Sequence, residues 1–290
     1  MSHKRLRIVI LVLATALLAA LIFWLAWGNR ALTVTRLTVE SDQLPAPFSG
    51  FRIAQVSDLH NAQFGPENED LLNLLRDETP DLILLTGDLV DSRRTDLEVA
   101  VTFATQAAQI APTYYVPGNH EARLSDQDFE TLREGLASGG VTVLENRCEP
   151  LERDGAHITL AGIYDPGFYT DYLMKDTALV MDTLLSSLDL EEQDYTVLLS
   201  HRPELLDTYA DHPVDLVFAG HAHGGQVRLP GIGGLVAPGQ GFLPQYDAGL
   251  YTQRNTDMVV SRGLGNSIIP LRVNNRPELV VVELKASHGF

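Results

Sequence analysis

At 290 residues, 45% hydrophobic and 20% charged, the chain can bury one large core or two smaller ones, and disorder is not expected. The net charge is −17; the first 30 residues hold four of the 21 basic side chains and no acidic one, so the remainder sets 17 basic against 38 acidic groups, formally −21, which argues against a nucleic-acid partner. The single cysteine, Cys148, excludes an internal disulfide and a thiolate metal cluster.

The chain opens with MSHKRLR, and residues 8–27 follow with Thr15 as their only polar side chain. As a helix this stretch spans about 30 Å, the thickness of a bilayer core. Lys4, Arg5 and Arg7 keep the short tail cytoplasmic by the positive-inside rule and send the rest across. Trp24 and Trp27 sit near the outer end like interfacial anchors, and Arg30 and Arg36 weaken the charge asymmetry without reversing it. A cleaved signal peptide is the alternative, but its apolar region usually runs about 7–15 residues. Residues 1–28 are therefore read as a cytoplasmic tail and an uncleaved signal-anchor, single-pass in the cell membrane, with everything beyond extracytoplasmic.

Residues 29–50 read as a tether with an edge strand, Leu32-Thr-Val-Thr alternating apolar and polar. From residue 51 a rhythm sets in. The apolar run 51–56 precedes a helical face of Leu71, Leu72, Leu74 and Leu75, and the run 81–85 precedes another of Leu97, Val101, Ala104 and Ala108. The run 113–116 is followed by Phe129, Leu132 and Leu136 behind the N-cap Ser125. The run 158–161, a helix at 178–188 and the runs 195–199 and 214–218 complete the pattern. Short β-branched runs alternating with helical spacings imply an α/β or layered α+β core with helices on its faces. Residues 224–250 break the rhythm, with eight glycines and three prolines among Leu229, Ile232, Leu235, Val236, Phe242 and Leu243. This segment is either a functional loop or a set of turns between short strands.

Five runs deliver polar chemistry at their C-terminal ends. Ser57-Asp58-Leu59-His60 follows the first, Thr86-Gly87-Asp88-Leu89-Val90-Asp91 the second and Pro117-Gly118-Asn119-His120-Glu121 the third. Ser200-His201-Arg202-Pro203 and Gly220-His221-Ala222-His223 follow the last two. In open sheets ligands bind beyond the carboxyl ends of strands, so these side chains should converge on one edge. Two Asp, one Asn and four or five His make a sulfur-free oxygen and nitrogen set suited to first-row divalent metals. Seven ligands are more than one ion takes while leaving an open position; they suit two ions sharing a carboxylate. Taken singly, each motif has an ordinary structural explanation. Five of them in this order, each at a strand end, do not.

The ordered set D-x-H, G-D-x-x-D, G-N-H-[DE], a lone His after a strand and G-H-x-H resembles the signature of the calcineurin-like metallophosphoesterases, over residues 51–284. GHAHGGQVRLP at 220–230 and SRGLG at 261–265 are similar to the membrane-anchored bacterial branch of that family, and Glu121 stands where Asp is more usual. The resemblance implies a four-layer αββα sandwich, with residues 51–290 as a metallophosphoesterase catalytic domain and a two-metal site on one edge. Carried over position by position, it implies that Asp58, His60 and His223 hold one ion, that Asn119, His201 and His221 hold the second, and that Asp88 bridges them. His120 has no metal in that scheme; it steadies charge at the scissile phosphate or protonates the leaving oxygen. The expected cofactors are two divalent ions drawn from Mn, Fe, Zn, Ni or Co. The expected reaction is attack of a metal-bridging hydroxide on a phosphodiester, phosphomonoester or pyrophosphate.

Arg123, Arg202, Arg228 and Arg262 are candidate phosphate partners, because guanidinium forks suit phosphate oxygens. A membrane anchor beside an apolar Gly/Pro-rich segment suggests a lipid-linked phosphoester, hydrolysed at the membrane by a monomer; a small-molecule phosphoester is the other reading. A nucleotide phosphodiesterase is disfavoured by the −21 charge, and a non-catalytic phosphoesterase-like binding scaffold by the presence of all seven ligands. His3, His157, His212 and His288 lie outside every motif and read as surface or core histidines, and the Asp165-Pro166-Gly167 turn accounts for Asp165.

Overall fold

In the computed structural model, which describes residues 3–169, 176–267 and 269–287, a 26-residue helix α1 (His3–Gly28) comes first. It buries no side chain and is long and apolar enough to cross a membrane. Strand β1 (Thr33–Ser41) starts after only four residues. The chain continues β2 (Arg52–Val56), α2 (Glu69–Glu78), β3 (Leu82–Thr86), α3 (Leu97–Ala108), β4 (Thr113–Val116), α4 (Asp126–Ser138) and β5 (Val141–Val143). Next come β6 (Arg147–Arg153), β7 (Ala156–Gly162), α5 (Thr177–Ser186), β8 (Thr196–Leu199), α6 (Leu206–Tyr209) and β9 (Leu216–Ala219). The two-residue strands β10 (Arg228–Leu229), β11 (Gly233–Gly234), β12 (Val236–Ala237) and β13 (Gly241–Phe242) pair as two small ladders. Strands β14 (Gly249–Gln253), β15 (Thr256–Val260) and β16 (Glu278–Ala286) close the fold.

Two six-stranded sheets result, in the orders β1-β16-β2-β3-β4-β5 and β14-β15-β9-β8-β7-β6. Strands β2, β3, β4 and β5 are parallel, as are β7, β8, β9 and β15. Side chains alternate between faces along a strand, so each strand serves two layers. Leu82 and Leu84 of β3 join Ile53, Val197, Phe218 and Val282 between the sheets. Ile83 and Leu85 point the other way, into Leu71, Leu75, Phe103 and Ala104 beneath α2 and α3. On the far side Val217, Met258 and Val260 pack with Met181, Leu185 and Tyr209 of α5 and α6. The layers run helix, sheet, sheet, helix, which is the αββα sandwich. Burial on both faces explains why the central strands read as unbroken apolar runs.

Helix starts follow local chemistry. The Ser125 hydroxyl accepts from Asp128 N (3.1 Å), as its N-cap reading requires, and Asp176 caps α5 by accepting from the Ala178 and Leu179 amides (3.1 Å each). Strand β1 is longer than the alternation at its start implied, because it runs beside β16 from Thr33↔Glu278 to Ser41↔Ala286. The segment 224–250 consists of turns between the two small ladders and also forms part of the cavity described next.

Candidate active site

Parallel β2, β3 and β4 end at one edge of the first sheet, and β8, β9 and β15 end at one edge of the second. The two edges meet. Gln55 Nε2 donates to Thr86 Oγ1 and to Ala219 O (2.9 Å each), tying the sheets together immediately before the loops that carry the motifs. Asp58, His60, Asp88, Asn119, His120, His201, His221 and His223 are all buried and gathered here.

Around Asp58, His223 Nε2 lies 3.4 Å from the carboxylate Oδ1, 3.1 Å from His60 Nε2, and His60 Nε2 is 3.6 Å from Asp88 Oδ2. Donor atoms bound at about 2.1 Å around a tetrahedral ion stand about 3.4 Å apart, so these spacings suit one divalent cation. On the other side of Asp88, His201 Nε2 is 3.3 Å from Asp88 Oδ2 and 3.2 Å from Asn119 Oδ1. His201 Nδ1–H donates to Thr86 O (2.8 Å), the backbone contact that aims the opposite nitrogen at a ligand. Three groups have donor atoms within 4.8 Å of one another and could hold a metal ion: Asp58, His60 and His223; Asp88, His201 and His221; and His60, Asp88 and His120. The third overlaps the first two through His60 and Asp88. The His120 nitrogens, however, already have hydrogen-bond partners.

The electrostatics suit cations. Burial, with neighbouring cationic groups, pulls the pKa of His60 and His223 down to about 3, so both imidazoles are neutral and keep a lone pair for a metal. Burial also works to lower His201, but the charge and hydrogen bond of Asp88, with Asp58 and Asp165, outweigh it and lift that ring to about 10. The buried carboxylates thus draw positive charge to this point.

The backbone is bent to suit. Asp58, His60, Asp88, His221 and His223 all have φ between 47° and 65°, a left-handed conformation that side chains other than Gly rarely adopt and that clusters at functional sites. A Cβ on Gly220 would stand 1.9 Å from Ser57 Oγ and 2.5 Å from Asp58 Oδ2, and one on Gly118 2.3 Å from Asp88 Oδ1. These glycines let neighbouring loops close on the carboxylates.

His120 stands to one side. Ser92 N–H donates to its Nδ1 (3.0 Å), which leaves the proton of the neutral ring on Nε2, facing Ser267 Oγ (3.1 Å). Asp91, the last residue of the G-D-x-x-D motif, has Oδ1 3.7 Å from the same Nδ1. A cavity of about 340 Å³ opens over the cluster, lined by Asp88, Asn119, His120, Arg123, His221 and His223 together with Gln226, Val236, Ala237, Pro238, Ser267 and Ile269. Of the four proposed phosphate partners, Arg123 alone lines it. Arg202 is held bidentately by Asp165 (2.7 and 3.0 Å), Arg262 by Glu278 (2.7 Å) and Arg228 by Asp247 (3.0 Å), so their forks are already taken. Asp165 also caps its own turn by accepting from Gly167 N (2.7 Å), so it serves the Arg202 pair as well as the turn. His157 and His212 pair with Asp194 and Asp182 away from the cluster, His3 is exposed on α1, and His288 lies outside the described residues.

Residue-by-residue reading passed over several groups. Glu121 accepts three backbone amides, from Asp88 (2.8 Å), Val90 (3.1 Å) and Gly118 (2.7 Å), and burial raises its pKa to about 7. Arg272, fully buried, donates to His223 Nδ1 (3.3 Å) and Gly265 O (2.6 Å). Asp91 and Glu121 were visible inside their motifs; Ser267 and Arg272 carry no motif at all.

The profile of the calcineurin-like phosphoesterases matches residues 51–225. The metallophosphoesterase YkuE of Bacillus subtilis is 31% identical over 261 residues, covering 88% of this chain and 86% of that protein. The phosphodiesterase YaeI of Escherichia coli is 31% identical over 237 residues, covering 81% and 82%. The crystal structure of the phosphopantetheinyl hydrolase PptH of Mycobacterium tuberculosis superposes with a TM-score of 0.50 at 14% identity, over 75% of this chain and 91% of that one, a likeness of fold. The chain belongs to the calcineurin-like phosphoesterase family and is a metal-dependent phosphoester hydrolase.

Proposed function

We propose that this protein hydrolyses a lipid-linked phosphoester at the membrane, as a monomer with two divalent cations at Asp88. Asp58, His60 and His223 hold one ion and Asn119, His201 and His221 the other, with Asp88 common to both. The observation that carries this reading is the convergence of seven donor side chains, from five strand ends in two sheets, around one buried carboxylate. When bound, a pair of divalent ions supplies Lewis-acid stabilisation of phosphoryl oxygens and a water acidified toward neutral pH. The protein's own groups do the rest. His120, with Nδ1 occupied by Ser92 N–H, presents its Nε2–H to the cavity and donates a hydrogen bond to the phosphoryl or leaving oxygen, steadying the charge that develops there. Arg123, on the cavity wall, takes a phosphate oxygen.

A phosphodiester is favoured, in keeping with the name of the relative YaeI. The lipid portion is supported by Val236, Ala237, Pro238 and Ile269, which line the same cavity as the histidines and give it an apolar part, and by α1. In this reading residues 1–28 are the anchor, 29–50 the tether and edge strand, and 51–290 the catalytic domain, outside the cytoplasm because Lys4, Arg5 and Arg7 precede the span.

The test uses purified full-length protein in detergent, stripped of metal and reloaded with Mn²⁺, on bis-p-nitrophenyl phosphate and on a micellar phospholipid. Hydrolysis should vanish on stripping and return on reloading, and failure to do so on both substrates would reject the reading. Replacing both Phe242 and Leu243 by Ser should reduce micellar turnover far more than turnover of the soluble ester. Equal loss on the two removes the lipid substrate.

A further inference from the structure

The outer end of α1 is joined to the domain by a dense set of contacts. Asn29 Oδ1 accepts from Arg272 N (2.7 Å) and from Asn266 Nδ2 (3.3 Å), and its amide donates to Arg272 O (3.0 Å). The Arg276 guanidinium donates to Ala31 O (2.9 Å) and to Leu32 O, and stacks 4.8 Å over the Trp27 ring. Arg272 turns its own guanidinium inward to His223 Nδ1, so a single residue, through its backbone on one side and its side chain on the other, links the end of the apolar helix to the metal-ligand cluster. Five residues before it, Ser267 touches His120 Nε2. Five extended residues reach at most about 18 Å, so Ser267 in the cavity lining lies within that distance of the residue that holds the helix end.

The surface around that mouth is apolar. Among the described residues ten large apolar side chains outside α1 are exposed, and seven of them fall in 229–243 and 269–271, the two segments that frame the cavity. Phe242, 70% exposed, and Ile232, 63% exposed, are the most open. Scattered single apolar residues need no explanation, but seven of ten concentrated on two segments beside a pocket point to an interaction surface. Charge points to the same occupant. A body of formal charge −21 is repelled by an anionic lipid surface, yet the cleft of about 270 Å³ between the helix end and the domain is lined by Arg262, Arg272 and Arg276 together with Trp24 and Trp27. Arg276 has no carboxylate within 4 Å among the described residues, which leaves its charge for a lipid phosphate. Trp and Arg at a helix end are the usual furniture of the headgroup layer.

We propose that the catalytic domain is seated on the bilayer that anchors α1: the apolar rim enters the outer headgroup layer, Arg276 meets a lipid phosphate, and the Asn29–Arg272 latch turns the cavity mouth to the lipid surface. This rests on the membrane reading of α1 and deepens the lipid-substrate reading by naming the surface through which such a substrate arrives.

The test places full-length protein in phosphatidylethanolamine and phosphatidylglycerol vesicles, in a Cys148→Ser background, with an environment-sensitive fluorophore on Phe242→Cys or, as control, on Asp154→Cys. Asp154 is exposed in the β6–β7 turn, at the edge opposite the site. Lipid-borne nitroxides near the headgroup should quench the label at 242 and leave that at 154 bright. Equal quenching at the two positions, or none at either, overturns the seat. Asn29→Ala should bring quenching at 242 down toward the control; quenching that survives the substitution overturns the latch. Hydrolysis of soluble bis-p-nitrophenyl phosphate by the same vesicles separates the two readings. A quenched 242 label without hydrolysis rejects the function and supports the seat, and hydrolysis with an unquenched label rejects the seat alone.

Discussion

Asp88 joins the two halves of the site: Oδ2 faces His201 and His60, and Oδ1 accepts the His120 backbone N–H (2.8 Å). Burial would raise this carboxyl, but the charge and hydrogen bond of His201 outweigh it and hold it well below the usual range. Asp88→Asn keeps the shape and removes the charge both ions would share, so it should weaken both sites together. Elemental analysis of the purified variant should find neither ion retained at the wild-type level; two tightly held ions would reject the bridging role. His120 poses the opposite case. Its side chain is engaged by Ser92, Asp91 and Ser267, so His120→Ala should keep its metals. Turnover should fall by about 10²–10³, the range for a lost hydrogen-bond donor to developing charge. An unchanged rate on a substrate with a poor leaving group would count against it.

Among the elements, the loops after β3 and β4 are held in mutual register by one side chain. Glu121 lies just beyond the loop after β4 and binds amides on both loops, of Asp88 and Val90 on one and Gly118 on the other. Glu121→Ala would leave buried N–H groups without partners, each costing about 1–3 kcal/mol. A clear fall in melting temperature is expected, with a loss of metal affinity, since Asp88 and Asn119 sit on those same loops. Calorimetry showing wild-type stability would mean that water replaces the carboxylate at no cost. The Glu in place of the more usual Asp is the longer acid, and here its length lets it span two loops at once.

For the molecule as a whole, the site closes the seam between two sheets, so whatever binds there bridges them. A ligand that binds only the folded chain stabilises it by about 2.7 kcal/mol at a hundred times its dissociation constant. For a domain of 150–250 residues each kcal/mol moves the melting temperature by about 2–4 °C. Chelation of the metal-loaded protein should therefore lower its melting point by several degrees, with Mn²⁺ restoring it, as followed by differential scanning fluorimetry in detergent. An identical melting point with and without chelator would show that the sheets are held without help from ions.

Much of this was legible in the amino-acid order. Strand runs, the Ser125 cap, the apolar span of α1 and the strand-end motifs are local patterns, set by side-chain period and by residue chemistry over a few positions. Strand β16 escaped that reading, although 278–286 is rich in Val: nothing local says that a C-terminal run inserts between β1 and β2, because register with distant strands is a property of the sheet. The same reason hid Ser267 and Arg272, which reach His120 and His223 only because chain segments far apart in order are packed together. It also made Arg202, Arg228 and Arg262 look available for phosphate when folding brings each a carboxylate. Residue type and spacing determined what chemistry the chain can do. Which groups meet, and which are already spoken for, was decided by long-range packing, since a contact energy depends on distance in space and not on separation along the chain.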